Sequence, residues 1–444
     1  MNIQLSDHFG YGKLIKFTLP SIAMMVFTSI YSIVDGFFIS NFAGETPFAA
    51  VNLIFPFLMI MATVGFMFGT GGTAIVAKTF GENNPERARE YFSLFTYLSF
   101  ILGVVFSIIA FIFIRPIVAL LGGTGELLEN AVVYAKILLI AMPFFILQLL
   151  FQSFFVTAER PQFGFIVILI AGITNMILDA VLVILLPQEY KLIGAGIATC
   201  VSQILGGILP LIYFFSKNSS ILRLTKTKVY FKAIFKACIN GSSEFMSNVS
   251  MNLVGMLFNI QLLKYAGEYG ISAYGVMMYV SFIFNSVFIG YSIGTAPIIG
   301  YNFGAKNHEE LKNILSKSLK LVVVVGLLMV ASAEILNLPL SKIFVGYNED
   351  LLNITVNGFK IFALCFLFMG FAIFASGFFT ALNDGITSAI ISFLRTMVFE
   401  VFAVILLPLI FDINGIWYSV VVAEFMAFLL SIIFLIAKKK RFNY

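Results

Sequence analysis

Long apolar runs, separated by short polar or Gly/Pro/Asn segments, recur along the whole chain. A helix that crosses the hydrocarbon core of a bilayer needs about 20 mostly apolar residues. Twelve runs reach that length, so the connections between them must be short. The pattern predicts an all-α membrane protein with twelve transmembrane helices, approximately at 14–42, 49–77, 92–114, 132–157, 163–186, 192–215, 237–264, 272–300, 317–336, 354–381, 386–410 and 415–437.

Composition supports this class. Of the 444 residues, 60% are hydrophobic and 11% are charged, whereas soluble domains average about 45–50% apolar and about 25% charged residues. The chain therefore has too little charge to cover the surface of a soluble protein of this size. This composition excludes disordered, fibrous and nucleic-acid-binding proteins.

Basic residues are distributed unequally between the two sets of loops. An even number of spans places both termini on one side, and that side carries 20 of the 27 lysines and arginines. Cytoplasmic loops are enriched in lysine and arginine. We therefore predict that both termini are cytoplasmic.

The two halves of the chain resemble each other. Phe80-Gly81 recurs as Phe303-Gly304, and Phe154-Phe155 recurs as Phe378-Phe379, at an almost constant offset. Six spans per half is an even number, so both halves enter the membrane from the same side. We predict a parallel repeat of two six-helix lobes around a central cleft, divided as 1–216 (N-terminal lobe), 217–236 (basic cytoplasmic linker) and 237–444 (C-terminal lobe).

Two acidic residues lie deep in the predicted spans of the N-terminal half. A charge at bilayer depth costs at least about 2.5–3.5 kcal/mol on insertion scales, so Asp35 and Asp179 are functional candidates. Asn175 precedes Asp179 by four residues and shares its helix face, and Thr199 adds a hydroxyl in span 6. These oxygens could bind a small hard cation or carry a proton, or they could join helices together.

The C-terminal half lacks these acids. In the internal repeat, Phe258 is at the position equivalent to Asp35, and Ala403 is at the position equivalent to Asp179. The candidate coupling acids are thus confined to one lobe.

Other polar residues lie within the C-terminal spans. Glu244, Asn248 and Asn252 follow one another at intervals of four and form a polar stripe along span 7. Span 11 carries Arg395 and Glu400, which could form a buried ion pair if a bend in the helix lets them meet. Glu424 in span 12 occupies the repeat position of Gln203. The candidate residues of the substrate cleft are Gln152, Glu244, Asn248, Asn252, Arg395 and Glu400.

No catalytic set can be assembled from the sequence. Both histidines lie in polar stretches, and the three cysteines are far apart, so the chain shows neither an HExxH motif nor metal or disulfide spacing. We expect no catalytic residues, no cofactor and no enzymatic activity.

Several segments together resemble the multidrug and toxic-compound extrusion (MATE) family, in its MepA-like bacterial branch. They are VDGFFI, FGENNPERARE, ITNMILDAVLV, IGAGIATCVSQ, NGSSEFMSNVSMNLVGMLFN, GYNFGAKN and LRTMVFE. The resemblance extends over essentially the whole chain.

This resemblance implies a secondary transporter that exports organic cations by antiport with Na⁺ or H⁺ through alternating access. It maps the family's N-lobe cation site onto Asp35, Asn175, Asp179 and Thr199, with Na⁺ held by the first three. It also implies a multi-pass protein of the bacterial inner membrane whose partners are small organic cations and the lipid bilayer. We expect a monomer.

A flippase for lipid-linked saccharides would share this fold and is the alternative function. Such a protein should place several cationic residues in its cleft to hold a pyrophosphate, whereas Arg395 is the one clearly central cation here. An ion channel is disfavoured because the sequence has neither a pore loop nor a repeated ring of charges.

Overall fold

The computed structural model describes residues 3–444, apart from the side chain of Asn252, and these residues form helices joined by short turns. The first half consists of α1 (Tyr11–Phe38), α2 (Glu45–Gly81), α3 (Pro85–Leu120), α4 (Gly125–Thr157), α5 (Pro161–Leu185) and α6 (Lys191–Phe215). The second half consists of α7 (Phe231–Gly304), α8 (His308–Val345), α9 (Glu349–Ala363), α10 (Phe366–Ala381), α11 (Gly385–Phe393), α12 (Glu400–Leu406) and α13 (Pro408–Phe442). Two π-helical turns, Ile39–Ala43 and Leu394–Phe399, and one 3₁₀ turn, Gln188–Tyr190, complete the list.

Helix α7 contains two membrane crossings. Its 74 residues would span about 110 Å as a straight helix, but the chain leaves helical geometry at Gly267 (φ 60°, ψ −151°). The pair α9 and α10, bent by 46°, makes one crossing. Helices α11 and α12 make another, and α13 continues after a break at Asp412 (φ 49°, ψ −134°). Counted in this way, residues 3–444 make twelve crossings, which confirms the predicted number.

The repeat is visible in the backbone of the turns. The α2–α3 turn holds Asn83 at φ 58°, and the α7–α8 turn holds its repeat partner, Lys306, at φ 56°. The α4–α5 turn holds Glu159 at φ 60°, and the α10–α11 turn holds its repeat partner, Asn383, at φ 62°. Left-handed residues after a helix let the following N–H groups bond to carbonyls of the last turn. The prediction of two repeated lobes is therefore confirmed in conformation as well as in sequence.

The helices that follow two of these turns begin in the same way. Asn84 caps α3 by accepting a hydrogen bond from the Arg87 N–H at 3.2 Å, and Asn307 caps α8 by accepting one from the Glu310 N–H at 3.2 Å. An asparagine oxygen at this position pairs a backbone donor that has no partner inside the helix. The FGENNPER and FGAKNHEE segments thus encode the same helix–turn–helix unit.

The outward-facing helices expose apolar side chains and bury small polar ones, which is the reverse of the pattern in a soluble protein. On α3, Ile101, Ile108 and Ile112 are exposed, whereas Thr96 and Ser99 are fully buried. Apolar side chains outside and small polar ones inside are the arrangement expected in lipid, because hydrocarbon does not solvate hydroxyl groups.

The two lobes meet along a seam of glycines between α2 and α7. A methyl group at Gly81 would overlap the Tyr301 carbonyl oxygen, and one at Gly304 would overlap the Lys78 carbonyl oxygen. These two contacts are related by the internal repeat, so the pseudo-two-fold axis passes between the helices here. The backbones touch directly because glycine has no Cβ. The same arrangement recurs further along, where Gly71 faces Ala237 and Gly241 faces Met67.

The segment between the lobes, residues 216–230, lies against the N-terminal lobe. The Arg89 guanidinium donates to the Ile221 carbonyl at 2.9 Å, and the Tyr230 hydroxyl donates to Glu90 at 2.6 Å. Leu222 is fully buried in the core of that lobe. The connection is thus anchored to α3.

The residues before α1, which we call the N-terminal strap (residues 3–10), connect the two lobes. The Leu5 N–H donates to Glu159 in the α4–α5 turn at 2.7 Å, and the Phe9 N–H donates to Glu310 of α8 at 2.9 Å. The His8 ring lies 2.6 Å from the other oxygen of Glu310. We call the face that carries the strap, the four repeated turns and the 216–230 segment the basic face. The strap and the glycine seam hold the lobes together at this face.

Candidate functional site

Three helices of the N-terminal lobe bring a polar cluster together. Helix α1 supplies Asp35, α5 supplies Asn175 and Asp179, and α6 supplies Thr199. The Thr199 hydroxyl donates to Asp35 at 3.3 Å and the Asn175 amide donates to Thr199 at 3.5 Å. All four residues of the predicted cation site therefore lie at one place.

The cluster is rich in oxygen atoms that lack a donor. Asp179 is fully buried and Asn175 is 1% exposed. Within the described part of the chain, neither Asp179 carboxylate oxygen nor the Asn175 amide oxygen has a hydrogen-bond partner. Asp35 and Asp179 are close enough for their carboxyl groups to interact electrostatically. Buried carboxylates without donors are costly unless a cation accompanies them, so this donor set fits Na⁺ or a proton.

The helix that carries Asp35 is irregular on both sides of it. Pro20 interrupts the hydrogen bonds of α1, and the π-helical turn Ile39–Ala43 follows the helix directly. Such turns are frequent at functional sites. Helix α1 also touches the other lobe, because its Ser29 hydroxyl lies 2.5 Å from the Ser286 hydroxyl of α7. Helix α1 thus belongs to the polar cluster and is also in direct contact with the other lobe.

A cavity of about 300 Å³ lies in the C-terminal lobe. Four of the predicted cleft residues line it, namely Glu244, Asn248, Arg395 and Glu400. Its walls also include aromatic and methionine side chains, which the sequence did not distinguish from lipid-facing ones; these are Met251, Tyr274, Met278, Phe282, Phe362 and Met369.

The ion pair in this cavity differs from the expected one. Arg395 forms a bidentate pair with Glu424 of α13, with contacts of 2.8–3.0 Å. Glu400 lines the same cavity, but among the described residues it forms no salt bridge with Arg395. The Arg395–Glu400 pair that a bend in the helix could have allowed is therefore replaced by the Arg395–Glu424 pair. Glu424 on the facing helix presents both carboxylate oxygens to the planar guanidinium, which is the favoured geometry for this pair.

Two predicted cleft residues fall elsewhere. Gln152 is 1% exposed and lies inside the N-terminal lobe, against α1, α5 and α6, away from the larger cavity. The side chain of Asn252 lies outside the part of the chain that the structure describes.

Sequence reasoning missed Gln148, which lies one turn from Gln152 on α4. Its amide donates to the Tyr31 hydroxyl of α1 at 3.5 Å. A single glutamine in an apolar run follows no spacing rule, so only its intramembrane position could have drawn attention to it.

The comparison with known families decides the class of this protein. The MatE family model matches residues 20–181 and again residues 245–406. The chain belongs to the MatE family. The spacing of the two matches agrees with that of the internal repeat, and the resemblance drawn from the sequence is confirmed.

Individual MatE relatives match over nearly the full length. The multidrug export protein MepA of Staphylococcus haemolyticus is 26% identical over 442 residues, covering 97% of this chain and 94% of that protein. MepA of Staphylococcus saprophyticus is 24% identical over 430 residues, covering 93% and 91%. A solved structure described as the outward-facing conformation of a multidrug resistance MATE family transporter aligns with a TM-score of 0.91 at 19% identity, covering 97% of this chain and 96% of that one. The fold prediction is thereby confirmed.

Proposed function

We propose that this protein exports organic cations from the cell by antiport with Na⁺ or H⁺, through alternating access of the cleft between its lobes. Membership of the MatE family and full-length similarity to proteins named multidrug export proteins support transport of this kind. The observation that carries the proposal is a pair of acidic sites, one in each lobe.

The C-lobe cavity is suited to a cation. It is lined by three acids and one base, and the base, Arg395, is already neutralised by Glu424. The remaining carboxyl groups, on Glu244 and Glu400, can attract a positive charge. The surrounding aromatic faces attract flat cations, and the methionines adapt to varied shapes.

The N-lobe cluster is suited to the coupling ion. Entry of a cation between Asp35 and Asp179 supplies the partner that the Asp179 oxygens lack. Because Asp35 is on α1 and α1 contacts α7 at Ser286, occupancy of the cluster alters the wall of the cavity, where the neighbouring Asn285 lies. Coupling requires only that ion and substrate differ in affinity between the two states.

The topology and assembly belong to the same proposal. The excess of lysine and arginine at the basic face supports a cytoplasmic orientation of that face and of both termini. The lobes comprise residues 1–216 and 237–444, joined by the basic linker 217–236, and the chain acts as a monomer in the bacterial inner membrane without a cofactor.

The pairing of Arg395 further disfavours the flippase alternative. A lipid-linked saccharide carries a pyrophosphate, which needs free cationic groups. Arg395 donates three hydrogen bonds to Glu424, so the central cation of the lobe is already paired with a carboxylate.

A flux assay tests the proposal. Proteoliposomes are loaded with ethidium and given a Na⁺ gradient at equal pH or a pH gradient without Na⁺. We expect one gradient to drive ethidium against its concentration difference, and Asp35→Asn to abolish this transport while ethidium binding persists. Glu126→Gln, an exposed carboxyl-to-amide change at the start of α4, serves as the control. Transport by Asp35→Asn at the wild-type rate contradicts the proposal.

A further inference from the structure

A second set of polar side chains lies inside the same lobe, between the cation cluster and the basic face. Tyr31 lies one helical turn before Asp35 on α1, and its hydroxyl accepts a long hydrogen bond of 3.5 Å from the Gln148 amide. Gln152 follows Gln148 by one turn on α4, about 6 Å further along the axis. The three side chains therefore extend from the cluster toward the end of α4, which is at the basic face.

These glutamines are buried without adequate partners. Gln148 is 2% exposed and Gln152 is 1% exposed. Among the described residues, the Gln148 Oε1 and both polar atoms of the Gln152 amide have no hydrogen-bond partner. An unpaired buried amide destabilises the state that contains it. The chain thus retains, at a cost in this conformation, polar groups that another conformation can satisfy.

Both glutamines line one narrow gap between α1, α4, α5 and α6. The gap is too small to hold a water molecule, and Met24 and Phe155 are among the side chains that close it. Pro210 of α6 also lines it, and its missing N–H removes the helical donor to the Gly206 carbonyl. Gly206 in turn lies so close to Gln148 that a Cβ at position 206 would overlap the Gln148 Oε1. Opening of the gap would expose several acceptors to water at once.

The repeat shows that the set belongs to the cation-binding lobe. Under the offset that relates Phe154 to Phe378, the positions equivalent to Gln148 and Gln152 are Ala372 and Ser376. The Ser376 hydroxyl is fully paired, with Ser388 at 2.8 Å and Ser392 at 2.9 Å. The C-terminal lobe, which lacks the aspartate pair, therefore has no unpaired amide at these two positions.

We propose that Tyr31, Gln148 and Gln152 form a transit path along which the coupling cation, a hydrated Na⁺ or a proton carried on water, leaves the Asp35–Asp179 cluster toward the basic face. The path is closed in this conformation and becomes hydrated when the lobes separate at that face. The amide oxygens then serve as transient ligands. This inference rests on the proposed function and reassigns Gln152 from the substrate cleft to the ion route.

Leucine substitutions test the path. Gln148→Leu and Gln152→Leu are close in size and remove the unpaired polar atoms, so we expect a Tm equal to or above that of the wild type. Ethidium binding and its dependence on the coupling cation should change by less than about twofold, because the primary cluster is intact. Gradient-driven ethidium transport should fall at least tenfold. Gln152→Asn, which keeps an amide, should recover most of the rate.

Ser107→Ala is the matched control, because it removes an equally unpaired buried hydroxyl from α3 of the same lobe. It should transport at the wild-type rate. The assay is run in two arms, a Na⁺ gradient at equal pH and a pH gradient without Na⁺, and the loss should occur in the arm that drives the wild type.

Three results overturn the inference while leaving the proposed function intact. Wild-type rates in both leucine variants show that the path is not used. Equal loss in Gln152→Leu and Gln152→Asn shows a packing defect, and loss of cation-dependent binding in Gln152→Leu places the residue in the primary site. If the wild type itself shows no gradient-driven transport, the proposed function fails, and the inference fails with it for that separate reason.

Discussion

The glycine seam offers a direct way to perturb the contact between the lobes. Replacing Gly304 by alanine adds a Cβ that would lie 2.8 Å from the Lys78 carbonyl carbon and would overlap its oxygen. The two backbones must then separate at the basic face. Because the neighbour is backbone and not a flexible side chain, it cannot move aside by changing rotamer.

The expected magnitude follows from the cost of overpacking, which is about 1–3 kcal/mol. If that cost falls only on the conformation in which the seam is closed, the ratio of closed to open molecules drops by about 5–150-fold. Gly275→Ala is the matched control. It lies on the same helix with no heavy atom within 4 Å of its added methyl group, so it gives the same gain in helix propensity without the clash.

Distances between spin labels attached at positions 86 and 312 measure the effect, since Glu86 and Lys312 are exposed near the basic face on opposite lobes. We expect Gly304→Ala to enrich a longer-distance population, and Gly275→Ala to match the wild type. If Gly304→Ala gives the wild-type distribution, the seam does not hold the lobes together and our reasoning about its role is refuted.

Two further predictions concern charged groups. Arg395→Ala leaves Glu424 buried without its partner, so we expect the free energy of unfolding to fall by about 3–5 kcal/mol, seen as a lower Tm, and to recover in Arg395→Met/Glu424→Leu. The control Arg115→Ala breaks an exposed pair and should cost about 1 kcal/mol or less. An equal Tm loss in both single variants would contradict this prediction. Burial raises the pKa of Glu159, against the opposing effect of the Leu5 N–H, so its contribution to stability is present when it is protonated and is lost as pH rises through that raised pKa. Glu159→Gln keeps an acceptor for the Leu5 N–H but does not titrate. The Tm of the wild type minus that of the variant should therefore decrease between pH 5 and pH 8. A Tm difference that stays constant with pH would contradict the role of burial.

The sequence was sufficient for features that depend on local pattern or on the repeat. Run length gave the number of crossings, because a bilayer sets the length of an apolar helix. Helical spacing placed Asn175 and Asp179 on one face, and their meeting with Asp35 and Thr199 followed from the family resemblance.

Features that depend on contact between distant helices were not accessible. Arg395 pairs with a residue on another helix, and no spacing rule selects Glu424 over Glu400. The N-terminal strap was also unforeseen, since nothing in its short polar sequence indicates that Leu5 and Phe9 are buried between the lobes. Gln152 was assigned to the substrate cleft because polarity alone does not indicate which cavity a helix face meets.

The central claim is that cation binding at Asp35 and Asp179 is linked to binding of the organic substrate. Linkage requires that the cation change the Kd of ethidium by the same factor by which ethidium changes the Kd of the cation. Titration of ethidium into purified protein over a range of Na⁺ concentrations and pH values measures this factor. We predict that the Kd rises with the coupling cation in the wild type and becomes independent of it in Asp179→Asn. An ethidium affinity that is insensitive to both Na⁺ and pH in the wild type, or a dependence that is unchanged in Asp179→Asn, would contradict the claim.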